Sequence, residues 1–361
     1  MPDVKSQGRK EFRHNSDVVV DPITFAIGAA LVRKKYWAYA IVLCCTLFRL
    51  STPAEAAGVQ LLNSDPSLMG AIWYPCAAEP KTVALGNLAV AADFGLTGAK
   101  DCPVTGAKLP LIIFSHGRGG WFGQNHDTAE ALADAGLVVA AINHPGDNAN
   151  DSSRRDTLSV LASRPVDMIR LLNFMLHDWK DRAVLDPARI GFFGFSNGGY
   201  TGLVLIGVTP DFRRVAELCK EKTGDCEQLH NGEAAPNPPH DARIKAAVIV
   251  DPANGTFTQD NLAAIKIPLQ YWRSERGGPG VGDGSGNARI ANSLPGTSDI
   301  HALPAGHFTF LAPCSPQLAA AVPRICTDNP PDFDRVAFHR EFNADVAAFF
   351  GAHLTRDAAP R

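Results

Sequence analysis

The side chains best suited to chemistry lie in a Gly-Phe-Ser-Asn-Gly motif at 194–198, directly after an apolar run at 190–193. A serine in a sharp strand-to-helix turn exposes its hydroxyl as a nucleophile, and the residues two before and two after it must be small so that strand and helix can approach. The two glycines of the motif meet this requirement. The same letters also occur in ordinary turns, but an apolar run at 200–206 predicts the helix that the mechanism requires. The motif therefore predicts a nucleophile elbow with Ser196 at its tip.

An acid and a histidine follow Ser196 in the order serine, acid, histidine, which one class of α/β enzyme uses for its catalytic triad. The apolar run at 245–250 predicts a buried strand, and Asp251 comes directly after it. A short predicted strand at 299–303 leads into a loop that carries His307. Asp251 is therefore the predicted acid and His307 the predicted base. His301 is a rival base, but it lies within the alternating strand.

A glycine-rich turn follows another predicted strand. The run at 109–115 predicts a central strand, and it leads into His-Gly-Arg-Gly-Gly at 116–120. Backbone N–H groups in such a turn can point at a developing oxyanion, and a second donor is expected from the residue after the nucleophile. We therefore predict that Arg118 and Asn197 form an oxyanion hole through their backbones. The side chain of His116 is expected to hydrogen-bond the backbone of its own loop.

Together these motifs resemble the dienelactone hydrolase-like branch of the α/β-hydrolases, and within it the platelet-activating-factor acetylhydrolases and their bacterial relatives. The likeness extends over roughly residues 68–355. It is carried by Phe-Ser-His-Gly-Arg-Gly at 114–119, Leu-Val-Val-Ala-Ala-Ile-Asn-His at 137–144, the serine motif, Asp-Pro at 251–252 and Gly-His at 306–307.

The resemblance implies an α/β-hydrolase fold, with a mostly parallel central sheet flanked by helices. It also implies acyl transfer to Ser196, with Asp251 and His307 as its acid and base and with Arg118 and Asn197 as the oxyanion donors. The implied substrates are carboxylic esters with small or short acyl groups. No metal or organic cofactor is expected.

The chain departs from the dienelactone hydrolases in two respects, and the second leaves another acid open. Those enzymes use a cysteine as the nucleophile, and they take their acid from the loop after the next strand, which is predicted here at 267–272. Many relatives carry an aspartate in that loop where this chain has Gly277. Glu275 lies in the same loop and is therefore the alternative acid to Asp251.

Length and charge agree with a single enzyme domain that acts on a small molecule. The chain has 361 residues, 45% of them hydrophobic, and its formal net charge is −3. This composition supplies a large core, and the charge gives no reason to expect a nucleic-acid partner. We predict a hydrolase domain at 57–361, with a polar insertion at about 211–241 that acts as a lid. The oligomeric state is left open.

The first 56 residues read as a leader and a signal peptide at about 33–56. Basic residues at 33–35 precede an apolar stretch at 36–48 that is too short to span a bilayer comfortably, and Ala-Glu-Ala at 54–56 fits a cleavage site. The sequence therefore predicts an exported protein, periplasmic or secreted, with no stable membrane span in the mature chain. The alternative is an uncleaved anchor, and a start codon nearer Val32 would explain the long leader.

Export makes the cysteines informative. Of the eight cysteines, two lie in the predicted signal peptide, and the six that remain allow 15 disulfide pairings. Pairing of nearest neighbours is the simplest arrangement. It gives Cys76 with Cys102, Cys219 with Cys226, and Cys314 with Cys326. Metal ligation is the competing interpretation, but the spacings of metal sites are missing.

Two helical patterns complete the sequence-based description. The run at 165–179 predicts a helix that packs one face on the core, and the run at 333–354 predicts a terminal amphipathic helix. His339 and His353 on the second helix are expected at the surface.

Other functions share these motifs. A secreted serine peptidase uses the same triad, and a polyester hydrolase would need exposed aromatic side chains, for which Trp121 and Trp272 are candidates. A non-catalytic binding protein on a hydrolase scaffold is the remaining alternative.

Overall fold

A ten-stranded, mostly parallel sheet runs through the computed structural model, which describes residues 56–92, 94–218, 222–233 and 236–354. The strands within these ranges are β1 (Ala56–Leu62), β2 (Gly70–Cys76), β3 (Lys81–Ala84), β4 (Gly95–Lys100), β5 (Leu109–Ser115), β6 (Val138–Ile142), β7 (Leu185–Phe195), β8 (Ile244–Val250), β9 (Leu269–Ser274) and β10 (Asp299–Leu303). The predicted leader and signal peptide fall on residues that lie outside the described ranges, apart from Ala56.

The strands lie in the order β10-β9-β8-β7-β5-β6-β2-β1-β4-β3. The strands from β6 through β5, β7, β8 and β9 to β10 are all parallel, whereas β2 pairs antiparallel with both β1 and β6. Strands β5 and β6 are buried along their whole lengths. A parallel sheet covered on both faces has strands that are apolar on both sides, which is why the predicted strands at 109–115 and 245–250 consist mostly of apolar residues.

Helices cover both faces of this sheet. Within the described ranges they are α1 (His126–Asp134), α2 (Leu158–His177), α3 (Asn197–Leu205), α4 (Phe212–Leu218), α5 (Gly224–His230), α6 (Gln259–Leu262), α7 (Ser285–Ala291), α8 (Pro316–Ala321), α9 (Pro323–Cys326) and α10 (Arg335–Leu354). One core contains side chains of α2 and α3 packed on Leu111 and Ile113 of β5. The other contains side chains of α1 and α10 packed on Ile112 and Phe114 of the same strand. Successive residues of β5 therefore enter opposite cores, as the two-residue period of a strand requires.

Helix α2 begins seven residues before the helix predicted from the sequence. The predicted helix started at Pro165, whereas the observed helix runs from Leu158 and contains Pro165 in its interior. A proline there has no N–H to donate to the carbonyl four residues earlier. The Tyr200 hydroxyl lies 3.4 Å from that carbonyl oxygen, on Leu161, and donates to it instead. A tertiary contact therefore supplies the hydrogen bond that the helix itself lacks.

Two of the predicted disulfides are present. Cys76 at the end of β2 is bonded to Cys102, and Cys314 is bonded to Cys326 at the end of α9. Cys219 lies outside the described residues, so the third predicted pair with Cys226 stays a prediction.

The sequence-based expectation for His339 was wrong. His339 lies on α10 but is buried, with its Nδ1 2.6 Å from Asp127 and its Nε2 2.9 Å from the carbonyl oxygen of Thr309. Helix α10 packs against α1, which carries Asp127, so the histidine joins two helices rather than facing solvent. His353 is exposed, as expected. No helix within the described ranges is long and apolar enough to cross a membrane.

The packing of α2 on the sheet gives a first prediction. Leu172 is fully buried in the core beneath α2, so Leu172→Ala should lower the free energy of unfolding by about 2–5 kcal/mol, measured by urea denaturation. Val166 lies on the same helix with 42% of its surface exposed, so Val166→Ala is the matched control and should change stability by less than about 0.5 kcal/mol. Equal losses from the two substitutions would contradict this packing of α2.

Candidate active site

Ser196 lies at a sharp turn between β7 and α3, with a backbone φ of +56°. A positive φ is costly for a residue with a side chain, and such strain persists only where the surrounding structure holds it. Here the Ser196 N–H donates to the carbonyl oxygen of Val250 at the end of β8, and the Ser196 carbonyl accepts from the Ala253 N–H. The turn is therefore fixed from the neighbouring strand as well as by its own chain.

The two glycines of the serine motif are required by close backbone contacts. A Cβ on Gly194 would lie 2.1 Å from the carbonyl oxygen of Gly198, and a Cβ on Gly198 would lie 1.8 Å from that of Ser115. These obstacles are backbone atoms, which cannot rotate away as a flexible side chain could. The elbow exists because α3 starts against β5 and β7 at a distance that only glycine permits.

Asp251 and His307 form a buried hydrogen-bonded pair beside this turn. The His307 Nδ1 lies 2.6 Å from the Asp251 Oδ2, and the exposed fractions of the two residues are 2% and 0%. Asp251 directly follows β8, and His307 lies in the loop after β10, so the neighbouring carboxyl ends of parallel strands bring them together. The His307 ring also stacks on Phe195, with centroids 4.5 Å apart, and the backbone N–H of His307 donates to the Gly277 carbonyl oxygen.

The Asp251 carboxylate accepts three further hydrogen bonds. Its Oδ1 accepts from the Ser274 N–H at 3.0 Å and from the Asn287 Nδ2 at 2.7 Å, and its Oδ2 accepts from the Ser274 hydroxyl at 2.6 Å. A buried carboxylate needs such donors because burial without them costs several kcal/mol. Sequence reasoning missed both partners, since neither Ser274 at the end of β9 nor Asn287 in α7 belongs to a recognisable motif.

The rival acid and the rival base lie elsewhere. Glu275 is exposed, and its carboxylate is 3.7 Å from the Arg273 guanidinium. His301 lies in β10 within 2.9 Å of Asp299, and its ring stacks on Trp272. The structure brings Asp251, and not Glu275, into contact with His307.

The glycine-rich loop after β5 packs directly on the elbow. A Cβ on Gly117 would lie 3.2 Å from the Ser196 Cβ, so the loop backbone approaches the serine closely. Asn197 is the first residue of α3, and the first N–H groups of a helix have no acceptor within the helix. The Arg118 side chain is half exposed and pairs with Asp156. The role of the Arg118 backbone N–H as an oxyanion donor stays a prediction.

A pocket of about 470 Å³ opens at this point, lined by Ser196, His307, Arg118 and Asn197 among others. Most of its remaining wall is apolar and includes Trp121, Phe308, Leu311, Leu318, Val322 and Ile325. Trp121 and Trp272 are both buried, so neither offers the exposed aromatic surface that a polyester hydrolase would need. The four groups predicted to act on a substrate therefore share one apolar pocket.

The far wall of the pocket comes from a segment closed by a disulfide. Cys314, Leu318 and residues 322–325 line the pocket, and the Cys314–Cys326 bond joins the two ends of this segment. The predicted lid at 211–241 contributes no described residue to the pocket lining. It contains α4 and α5, and the Gln228 side chain accepts from the Leu158 N–H at the start of α2. A role for it as a lid stays a prediction.

Two buried histidines lie beneath the glycine-rich loop. Burial lowers the pKa of His116 and of His144 well below the usual histidine value, and the charge of nearby Arg164 lowers both further. Both imidazoles are therefore neutral near pH 7.

Within the described ranges, no group of three or more His, Cys, Asp or Glu side chains could hold a metal ion.

The close contact at Gly198 gives a second prediction. Gly198→Ala places a methyl group against the Ser115 carbonyl, so it should destabilise the fold by about 1–3 kcal/mol or more and displace the elbow. Thermal unfolding measures the first effect. Gly351→Ala is the control, because a Cβ there meets no atom within 4 Å. A Gly198→Ala protein as stable as Gly351→Ala would show that strand and helix are not so close.

Comparisons with known proteins support this architecture. Residues 97–164 match the family model for platelet-activating factor acetylhydrolase, isoform II. No curated protein matches the chain. The structure is similar to that of a ferulic acid esterase from Streptomyces cinnamoneus, with a TM-score of 0.55 and 19% sequence identity, over 86% of this chain and 93% of that one. The chain is therefore an α/β-hydrolase by fold, and it resembles the platelet-activating factor acetylhydrolases.

Proposed function

We propose that this protein is a serine carboxylesterase with Ser196, Asp251 and His307 as its catalytic triad. The observation that carries the proposal is the buried 2.6 Å contact between His307 and Asp251 at a pocket that also contains Ser196 at a strained elbow. The family match over residues 97–164 and the fold of the esterase neighbour support an ester hydrolase.

The reaction begins with attack of the Ser196 hydroxyl oxygen on the ester carbonyl carbon. His307 takes the hydroxyl proton and then gives it to the leaving alcohol, which departs as the acyl-enzyme forms. Asp251 accepts a hydrogen bond from the His307 Nδ1 and stabilises the imidazolium. This contact leaves the other ring nitrogen, Nε2, to exchange the proton with serine and alcohol.

Hydrolysis of the acyl-enzyme repeats the same steps with water. His307 takes a proton from water, the hydroxide oxygen attacks the acyl carbon, and the proton returns to Ser196 as the acid leaves. In both halves the carbonyl oxygen gains negative charge, which the N–H groups of Arg118 and Asn197 stabilise. One such donor typically contributes about 10²–10³ in rate.

The pocket supports substrates with small or short acyl groups. Its volume of about 470 Å³ must hold both the acyl group and the alcohol, and its wall is mostly apolar. Burial of a short hydrocarbon there gains about 0.8 kcal/mol per methylene group, until the chain no longer fits. The segment closed by the Cys314–Cys326 disulfide makes the far wall of this volume rigid.

Export of the mature chain is part of the proposal. Two disulfides link described parts of the chain, and such bonds form and persist chiefly in oxidising compartments. A periplasmic or secreted location would satisfy this requirement.

The third prediction concerns the nucleophile. The protein with its disulfides intact should hydrolyse p-nitrophenyl esters, from acetate to palmitate, with kcat/KM highest for the esters with short acyl chains. A fluorophosphonate should label Ser196. Ser196→Ala should remove the label and lower kcat by a factor of about 10⁴ or more. Turnover that survives this substitution would contradict the assignment of Ser196 as the nucleophile. A folded protein that neither turns over esters nor takes the label would favour a binding protein.

The fourth prediction separates the two candidate acids. Asp251→Asn removes the negative charge beside His307 and should lower kcat by a factor of about 10²–10⁴, measured with p-nitrophenyl acetate. Glu275→Gln is the matched control and should change kcat by less than about twofold, because Glu275 contacts Arg273 instead. The reverse pattern would make Glu275 the acid.

A further inference from the structure

Three consecutive peptide groups in the loop after β5 are each held by groups from the protein interior. They are the peptides that join His116 to Gly117, Gly117 to Arg118, and Arg118 to Gly119. The middle one carries the Arg118 N–H, the proposed oxyanion donor. The contacts of all three peptides determine where this N–H points.

The two outer peptides are held by a single buried ion pair. The Arg164 guanidinium donates to the His116 carbonyl oxygen, and the Asp147 Oδ1 accepts from the Gly119 N–H at 2.8 Å. Arg164 and Asp147 also bind each other, with their closest atoms 2.6 Å apart, and both are almost completely buried. A buried pair with additional hydrogen bonds is geometrically restricted, since either charge alone would be strongly destabilising there. The pair therefore fixes the loop on both sides of Arg118.

The middle peptide is held by the His116 side chain. The His116 Nδ1 lies 2.7 Å from the Gly117 carbonyl oxygen, which also accepts from the Gly120 N–H at 3.1 Å. A trans peptide is planar, and its C=O and N–H point in opposite directions. Because the Gly117 oxygen points at a buried imidazole, the Arg118 N–H in the same plane points the other way. That direction is the pocket, which both Gly117 and Arg118 line.

The contacts of His116 determine which nitrogen carries the proton. Its Nε2 accepts from the His144 N–H at 3.0 Å, so the proton of the neutral ring is on Nδ1, where it can be donated to Gly117. Burial lowers the pKa of His116 well below the usual value, which keeps this ring neutral. The His144 ring is itself held by Asp167 and Ser115. The tautomer that the Gly117 carbonyl needs is thus the one that the surroundings favour.

We propose that His116 and Arg164 are positioning residues for the oxyanion hole: they hold the Gly117 and His116 carbonyls so that the Arg118 N–H points at the developing oxyanion. This inference rests on the proposed esterase function and adds to it a role for two buried side chains. Preorganised donors cost no reorganisation during the reaction, so a loop free to turn would lose part of their effect.

The experiment compares His116→Phe with His116→Asn. Phenylalanine keeps a planar ring at this position but has no hydrogen-bond donor. The Asn Nδ2 is the same number of bonds from Cα as the His Nδ1, so it can donate to the Gly117 carbonyl in its place. Kinetics with p-nitrophenyl acetate give kcat and KM. Inhibition by a trifluoromethyl ketone, which forms a tetrahedral oxyanion on serine, reports on the hole directly. Thermal unfolding shows whether each variant is folded.

We expect His116→Phe to lower kcat by about 10–100-fold, with KM within about threefold of wild type. The inhibition constant of the ketone should rise in parallel with the loss of kcat/KM. His116→Asn should recover most of kcat. Equal losses in the two folded variants, or a change in KM alone, would overturn the proposal in favour of a packing role. Wild-type protein without esterase activity would instead overturn the proposed function, and this inference with it.

Asp147→Asn provides a second test should His116→Phe not fold. The amide oxygen can still accept from the Gly119 N–H, but its Nδ2 then faces Arg164 and the ion pair is lost. A lower kcat with unchanged KM, together with weaker inhibition by the ketone, would support the proposal. Unchanged kcat would overturn it.

Discussion

The close approach of α3 to β5 and β7 is the constraint on which the rest of the site depends. Because a Cβ on Gly198 would overlap the Ser115 carbonyl, the helix can start there only if this position is glycine. That start turns the chain so sharply that Ser196 has a φ of +56°. The strain is distributed over hydrogen bonds to β8 and to the segment after it, so the elbow is held by the sheet. The same approach brings the loop after β5 against the serine.

Burial of charge is the second theme of this structure. Asp251 has four hydrogen-bond contacts to its two carboxylate oxygens, which offsets the loss of water and leaves the carboxylate with no freedom to move. Asp147 and Arg164 are also buried, and they pair with each other and hydrogen-bond the backbone of the glycine-rich loop after β5. In both places the hydrogen bonds that offset the cost of burying a charge also restrict the positions of the groups around it. Rigidity of this kind is what a preorganised site needs.

The pocket lies between these rigid supports and a second, separately fixed wall. The segment from Cys314 to Cys326 is closed by its disulfide, and the Arg335 side chain donates to the carbonyl oxygen of Ile325. The pocket wall therefore includes a loop closed by a covalent bond together with the elbow residues Phe195, Ser196 and Asn197. Most of the pocket wall is apolar, which is the physical basis of the short-acyl substrates proposed above.

Local patterns in the chain were enough to predict the central strands and the serine elbow. Mostly apolar runs predicted β5 and β8 because a doubly covered parallel strand has no polar face, and the spacing of Gly194 and Gly198 about Ser196 predicted the elbow because the turn lies within five consecutive residues. Three features follow only from long-range contacts in the fold: His307 contacts Asp251 and not Glu275, Ser274 and Asn287 hydrogen-bond Asp251, and His339 is buried. These residues are 23 to 212 positions from their partners, and local sequence patterns carry no information about contacts at such separations. Helix α2 shows the same limit, since the hydroxyl that compensates for Pro165 comes from another helix.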